Sequence, residues 1–406
     1  MTGRSDNPRI LVVNPCYHPA RRYGGPIASL HALCRAMVAR GADVTVFTTT
    51  ADGPDDLPVP TGRDVDVDGV RVVYFPVTRP RSFFRSPELG AALRTRIEEF
   101  ALVHVNWLYC YPTLVAAREC ARQGIPYLLA PRGMLDPHAI ALKGTLKKKL
   151  YLSLIEAPHL HRAAAVHFTS VAEREQAAKA GWRVRSIVVP NGVALAAPAA
   201  PAAPAASTIE GRLLRRFPQL VGKRIVLVLG RVNYIKGLDL LARAWPDVAA
   251  RVTDAHLLVV GPDDHGYGAT MRALIPSAVL ERSVTFTGLL TGSDKDEALA
   301  LSEMLVCSSY LESFGMAVVE AMACARPVVV TDRVSICGEI AEAGAGIVVS
   351  CSATELARGI TTLLEDGALA RRMGANGEAL VRRRFAIDVV AGQMIEAYQA
   401  VLDHSP

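Results

Sequence analysis

The 406-residue chain lacks any run of eighteen unbroken apolar residues, which excludes an evident membrane-spanning helix. The N-terminus, MTGRSDNPR, is polar, and only ILVV separates it from Asn14, too little for a signal-peptide core. There is no CxxC pair among the eight cysteines, and several sit in apolar runs, as Cys307 does in LVCSS. This predicts buried, reduced thiols in a cytoplasmic protein rather than disulfides or zinc ligands. No basic run carries interleaved aromatics, so a nucleic-acid groove is not expected. GxGxxG and GxxxxGK[ST] are both missing, which argues against a dinucleotide fingerprint and a Walker A loop.

What is present is half hydrophobic and 21% charged, with a net charge of +6. A chain this long exceeds one ordinary hydrophobic core, so two domains are expected. Mild basicity suits an anionic small ligand or an acidic membrane surface. Short β-branched runs alternate with helical patterns, which reads as βα units around parallel sheets. Strands are expected at 10–13, 44–48, 70–75, 102–105, 127–130, 166–169 and 187–189. A second series is expected at 225–229, 256–260, 284–286, 305–307 and 328–330. Between the first two strands, Ile27, Leu30, Cys34, Met37 and Val38 recur at helical spacing, and Gly41 marks the stop. The segment ALAAPAAPAAPAA, with prolines at 198, 201 and 204, blocks helix and sheet alike and reads as an extended spacer. The expectation is therefore an α/β chain of two doubly wound, Rossmann-like domains, 1–193 and 209–385, joined by a 194–208 linker. A last helix, within 386–406, returns to the first domain. Ligands of such sheets bind at the carboxyl ends of the strands, so two facing domains would hold the site in the cleft between them.

Three loops could carry chemistry. In NPCYHPARRYGGP, Gly24 and Gly25 open a helix whose unpaired N–H groups suit an anion, although an ordinary N-terminal proline turn explains Gly-Gly-Pro equally well. In GRVNYIKG, directly after the strand IVLVL, Arg231 could fork onto phosphate oxygens and Lys236 could add a mobile charge. A helix entry decorated with surface cations is the plainer reading. In LESFGMAVVE, Glu312 is expected in the loop before a helix spanning 314–323, with Ser313 as its N-cap, and Glu320 about two turns inside. Eight helical residues rise roughly 12 Å. The carboxylates of glycoside hydrolases face each other at roughly 5–9.5 Å across one bond, so this spacing argues against a hydrolase pair. It suits two contacts along an elongated ligand, with Gly315 between them. Glu320 could instead be a solvated helix residue, but its apolar flanks place it at a cleft edge.

Together these motifs resemble the GT-B glycosyltransferases of family 4, the glycosyl transferases group 1, over nearly the whole chain. GRVNYIKG resembles the family's G-R-x4-K-G loop, VVPNGV its P-N-G-V, VVGP with Gly261 its nucleotide-edge turn, and ESFGMAVVE its E-x7-E motif. APRGMLDPHAI followed by KKKLYLSLIE resembles a subgroup that assembles bacterial exopolysaccharide or lipopolysaccharide. The resemblance implies retaining transfer of a hexose from a nucleotide-diphosphate sugar to a glycan or lipid-linked acceptor, without metal or other cofactor. Carried over, Arg231 and Lys236 would bind the diphosphate, and Glu312 would hold sugar hydroxyls beside Ser313, Phe314 and Gly315. Glu320 would accept from the ribose, and Gly24 and Gly25 would approach the phosphates.

The chain departs from the pattern in places. Where many relatives carry a histidine it reads Pro131-Arg132-Gly133, so Arg132, or His104 in LVHVNW, is expected to take a polar role near the reacting centre. The usual glycine before PVV is replaced in ACARPVVV by Ala325 and Arg326, which puts the local turn in question. Asp263 and Asp264 in GPDDHGYG read as a turn rather than a metal site. Lys143, Lys147, Lys148 and Lys149, followed by Leu150, Leu152, Leu154 and Ile155, suit a peripheral position on the inner face of an anionic membrane or a solvated helix face. Two other functions remain open: a nucleotide-sugar 2-epimerase, and a sugar-nucleotide-binding subunit without catalysis. Neither the sugar, the base, the acceptor nor the oligomeric state is readable.

Overall fold

The computed structural model describes residues 7–20, 22–137, 140, 145–195, 211–264 and 266–404, with backbone alone at 145, 147 and 148. The prolines of the expected linker and Lys143 lie outside these residues, as do the side chains of Lys147 and Lys148. The chain divides into two compact units, Met1–Ala194 with Ile387–Pro406, and Leu195–Ala386.

The first unit holds β1 (Arg9–Cys16), β2 (Asp43–Thr49), the short pair β3 (Ala51–Asp52) and β4 (Asp55–Asp56), and then β5 (Asp64–Val67) and β6 (Val70–Phe75). β7 (Leu102–Asn106), β8 (Tyr127–Ala130), β9 (Ala165–Phe168) and β10 (Ser186–Val188) follow. Eight of these form one sheet in the order β10-β9-β8-β7-β1-β2-β6-β5, parallel except for β5 on β6. The central strands are buried on both faces, as in β1 and β7, and this is why they read as continuous apolar runs. β5, DVDV, was not legible: alternating aspartates oppose strand propensity, and only pairing at the sheet edge settles it. The helix Gly25–Ala39 crosses from β1 to β2, and the C-terminal helix Ile387–Asp403 packs against it within the same unit. The Ile387 N–H donates to the Val193 carbonyl (2.9 Å), which pins the start of that last helix.

The second unit holds β11 (Arg224–Leu229), β12 (Ala255–Val260), β13 (Val284–Gly288), β14 (Ser302–Cys307), β15 (Val328–Thr331) and β16 (Gly346–Val349). All six are parallel, in the order β13-β12-β11-β14-β15-β16. Both units are thus doubly wound α/β sheets, as the strand–helix alternation predicts. β16 escaped the sequence reading because it is a four-residue GIVV run opened by glycine; a Cβ at Gly346 would collide with the Val328 carbonyl oxygen. The thiol expectation holds for half the cysteines. Cys16, Cys34, Cys110 and Cys120 are buried, whereas Cys307, Cys337 and Cys351 are half-buried and Cys324 is exposed, all of them free.

Two local features generate predictions. Ala325 stands in the left-handed region (φ 54°), so the turn keeps the geometry that a glycine would provide, at the cost of a Cβ clash. Ala325→Gly is therefore expected to stabilise the protein by roughly 1 kcal/mol, read as a higher urea midpoint at unchanged m. In the first unit, Glu156 ends the π-helical turn Leu152–Glu156 and is fully buried. Its Oε1 accepts the Tyr109 N–H (2.7 Å), while Oε2 has no hydrogen-bond partner. Burial raises its pKa to about 7. A carboxyl held more basic when folded is stabilising while protonated, and that stability is lost as pH rises through about 7. Glu156→Gln keeps the acceptor but cannot ionise. It should be more stable than the wild type above pH 7 by on the order of 3 kcal/mol, read as a higher melting temperature, with the gap closing as the pH falls towards 4.5.

Candidate active site

In the second unit the strand order reverses between β11 and β14, the topological switch point at which open α/β sheets leave a crevice. Two of the three loops singled out in the sequence, GRVNYIKG and LESFGMAVVE, leave the carboxyl ends of these two strands. They are bonded to each other: the Tyr310 N–H donates to the Ile235 carbonyl (2.8 Å) and the Ser308 hydroxyl to the Lys236 carbonyl (2.9 Å). Gly237 (φ 59°) lies so close to the Ser308 carbonyl oxygen that any side chain would collide with it. Across this seam Lys236 Nζ forms an ion pair with Glu312 Oε2. Both side chains are largely withdrawn from solvent, 28% and 15% exposed. Burial is the largest influence and would lower the lysine pKa, but the Glu312 carboxylate and Cys307 together outweigh it and the net shift is upward, so Lys236 is a fixed cation.

The rest of the first loop is fastened to the turn after β12. The Val232 N–H donates to the Pro262 carbonyl (2.8 Å) and the Asp264 N–H to the Val232 carbonyl (3.0 Å). Asp264 Oδ2 faces Arg231 Nη1 at 3.1 Å and accepts from Asn233 Nδ2 at 3.3 Å. Asp263 Oδ1 accepts the Gly268 N–H (3.0 Å). The two aspartates thus work as a turn and as the partner of Arg231, an exposed guanidinium held at the loop's edge. Gly261 (φ 148°) is required structurally: a Cβ there would strike the Gly230 carbonyl oxygen.

The helix after Glu312 corrects the expected boundaries. It spans Met316–Ala323, its N-cap is Gly315 in the left-handed region (φ 93°), and no side chain caps it, so Ser313 does not take that role. Glu312 belongs to an extended segment bridged to Val334, with the Glu312 N–H donating to the Arg333 carbonyl (3.1 Å). The Phe314 ring is buried edge-on against Phe385 (5.7 Å) and anchors the loop. Glu320 is the fifth helical residue, one turn in rather than two, so the helical rise between the two glutamates is much shorter than expected. It is not a bare carboxylate: Lys295 Nζ lies 3.0 Å from Oε1. Lys295 comes from the helix Ser293–Leu301 and carried no sequence signal, because its partner is 25 residues away.

In the first unit, β1 lies between β7 and β2, the switch point of that sheet, and the Gly24–Gly25 loop follows β1. Gly24 (φ 76°) is the N-cap of Gly25–Ala39, with open space where a Cβ would stand. Arg132 follows β8 with φ 53°. Its Nε and Nη2 donate to Asn106 Oδ1 (3.1 and 2.8 Å) and its Nη1 to Asn191 Oδ1 (2.9 Å). These acceptors are neutral amides; burial lowers the arginine's pKa, and the nearby Glu173 carboxylate opposes that shift in part. Asn191 belongs to the P-N-G-V motif noted in the sequence, but Asn106 was not singled out, and nothing local pairs two asparagines 85 residues apart. His104 is a correction. It is fully buried in β7, its Nδ1 2.8 Å from the Tyr398 hydroxyl and its Nε2 3.2 Å from His167 Nδ1. Burial first, and then His167, drive its pKa well down. Both ring nitrogens are spent on the core, so His104 is structural.

Two family models lie end to end on this framework: "Glycosyl transferase 4-like domain" over residues 24–192 and "Glycosyl transferases group 1" over residues 213–380. Among curated relatives, a phosphatidyl-myo-inositol mannosyltransferase of Mycobacterium tuberculosis is 31% identical over 223 residues, 53% of this chain and 54% of that protein. An alpha-D-kanosaminyltransferase of Streptomyces kanamyceticus is 28% identical over 189 residues, 46% of this chain and 48% of that one. The chain spans about half the length of the curated relatives it matches. Among solved structures, Anabaena HepE in complex with UDP and glucose superposes with a TM-score of 0.74 at 21% identity, over 97% of this chain and all of that one (100%). Sucrose-phosphate synthase of Thermosynechococcus elongatus gives 0.73 at 21% identity, over 98% of this chain and 100% of that one. With both halves matched in order and the strand-end loops in place, the chain belongs to the group 1 glycosyltransferases of GT-B fold.

Proposed function

We propose that the protein is a retaining hexosyltransferase of family 4 that uses a nucleotide-diphosphate sugar and needs no metal. The observation that carries this reading is the Lys236–Glu312 pair at the switch point of the second unit. A cation and a carboxylate held together there offer one group for a diphosphate and one for sugar hydroxyls. Lys236, with Arg231 at the loop edge, would stabilise the negative charge that grows on the leaving diphosphate, an electrostatic role worth most where water is excluded. On donor binding the phosphate would share Lys236, freeing the Glu312 oxygens for the sugar. Glu320, oriented by Lys295, would accept from the ribose hydroxyls, and the N–H groups at Gly315 would face the ligand's anionic part. HepE is described as a complex with UDP and glucose, which favours a uridine donor.

Glu312→Ala and Lys236→Ala should each lower kcat roughly 10²–10³-fold, the usual loss on removing a group that stabilises the transition state. Glu320→Ala should chiefly weaken nucleotide affinity. Thermal shift across UDP-, GDP- and ADP-sugars identifies the donor, since a ligand of the folded state raises the melting temperature. Equal and negligible effects of the Glu312 and Glu320 substitutions would overturn the assignment, and epimerised free donor would favour an epimerase.

The acceptor side of the reading is a lipid-linked glycan of a bacterial surface polysaccharide, met on the inner face of an anionic membrane. Among the described residues no helix is long and apolar enough to cross a membrane. The helix Thr145–Tyr151 and its π-helical continuation nonetheless expose Leu146 (80%), Leu150 (57%) and Leu154 (65%). Beside them lies a cavity of about 460 Å³ whose lining includes Ile140, Lys149, Leu152, Ser153, Ala157 and Trp182. Leucines at four-residue spacing with a lysine alongside suit an anionic, apolar surface. The protein should sediment with vesicles containing anionic lipid, and Leu146→Ser/Leu150→Ser should abolish this. Absent or salt-insensitive binding would remove the membrane from the reading while leaving the donor chemistry intact.

A further inference from the structure

The sequence suggested no metal site, yet the fold of the first unit gathers three ligand-type side chains that lie far apart in the chain. His18 comes from the loop after β1, His31 from the helix Gly25–Ala39, and Asp68 from the turn between β5 and β6. Their donor atoms all lie within 4.8 Å of one another. The two imidazoles stack nearly parallel, with centroids 4.5 Å apart and an angle of 11° between the planes. His31 Nε2 stands 2.9 Å from Asp68 Oδ2. We propose that His18, His31 and Asp68 form a binding site for a divalent transition-metal ion, with zinc a fitting occupant.

The chemistry of the set fits that ion. Two imidazoles and one carboxylate are borderline donors that suit zinc and its first-row neighbours, and three protein ligands leave a position open to water. Imidazole lone pairs lie in the ring plane, so the half-buried His18 must turn out of its stack on His31, and the exposed Asp68 must shift, for the donors to reach one ion at about 2.0–2.2 Å. His31 is the fixed member. It is 7% exposed, and its Nδ1 lies 3.0 Å from the hydroxyl of Tyr17, itself wholly buried. An ion on Nε2 places the ring's single proton on Nδ1, where it donates to that hydroxyl, the outer contact that orients a metal-bound histidine. In the empty site His31 and Asp68 are bonded to each other, and an ion would take the place of that hydrogen bond between Nε2 and Oδ2. Arg35, one turn further along the helix, acts electrostatically on both groups and opposes a cation. Its charge limits the affinity without filling the site.

The backbone gives an occupant something to hold. The Tyr74 hydroxyl donates to the His18 carbonyl, so the loop is already fixed at one atom. An ion would tie that loop, the helix and the β5–β6 turn together just ahead of Gly24. This role is independent of the transferase reading and is tested without turnover. Titrating the full chain with zinc by calorimetry should show one site more than in His18→Ala or Asp68→Ala, and zinc should raise the melting temperature of the wild type more than that of either variant. His18→Ala leaves the His31–Asp68 and His31–Tyr17 contacts in place, and the eight thiols are common to all three proteins, so cysteine binding cancels. Arg35→Ala should tighten zinc several-fold. Equal stoichiometry and equal melting shifts in wild type and both variants would overturn the site; His18→Gln substitutes if the alanine variant does not fold.

Discussion

The ion pair between Lys236 and Glu312 is the constraint on which the second unit's strand ends depend. Neither charge is free in water, and removing either partner would leave the other poorly solvated and unpaired, which typically costs several kcal/mol. The pair therefore fixes where the loops after β11 and β14 sit relative to each other. The backbone bonds around Tyr310, Ile235, Ser308 and Lys236 then make that placement rigid. A site built this way carries its cation and its acceptor in position before any ligand arrives. An anionic ligand has only to exchange for half of an existing pair.

Close backbone approach is the second requirement. Gly237 and Gly261 occupy positive-φ conformations against carbonyl oxygens of neighbouring loops, and these contacts let three strand-end loops crowd into one crevice. Such glycines look like phosphate-binding signatures in a sequence. In the structure their first duty is to let the loops meet, and any ligand contact is additional. Ala325 shows the converse: the αL geometry survives without glycine, with its N–H bonded to the Met322 carbonyl (2.9 Å).

In the first unit, burial sorts residues that look alike in a sequence. His104 and Arg132 are both polar groups at or near strand ends. One is sealed between Tyr398 and His167 and works as a core polar group; the other keeps its guanidinium on amide oxygens at the end of β8. His31 and His18 pass unnoticed as isolated histidines, yet the β5–β6 turn brings Asp68 to both.

Local signals determined a great deal. The alternation of apolar runs and helical periodicity specified doubly wound α/β units, most strand positions to within a few residues, and the loops GRVNYIKG and LESFGMAVVE as strand-end segments. Those features are written in consecutive residues, because propensity, glycine and periodicity act locally. The tertiary structure alone decided the partners: Glu312 with Lys236, Glu320 with Lys295, Arg231 with Asp264, Arg132 with Asn106 and Asn191, and His31 with Asp68. Each pairing spans tens of residues and depends on which strands are neighbours, and a one-dimensional pattern does not encode strand order. The charge a side chain faces, and hence its chemistry, is fixed only once the sheet has closed around it.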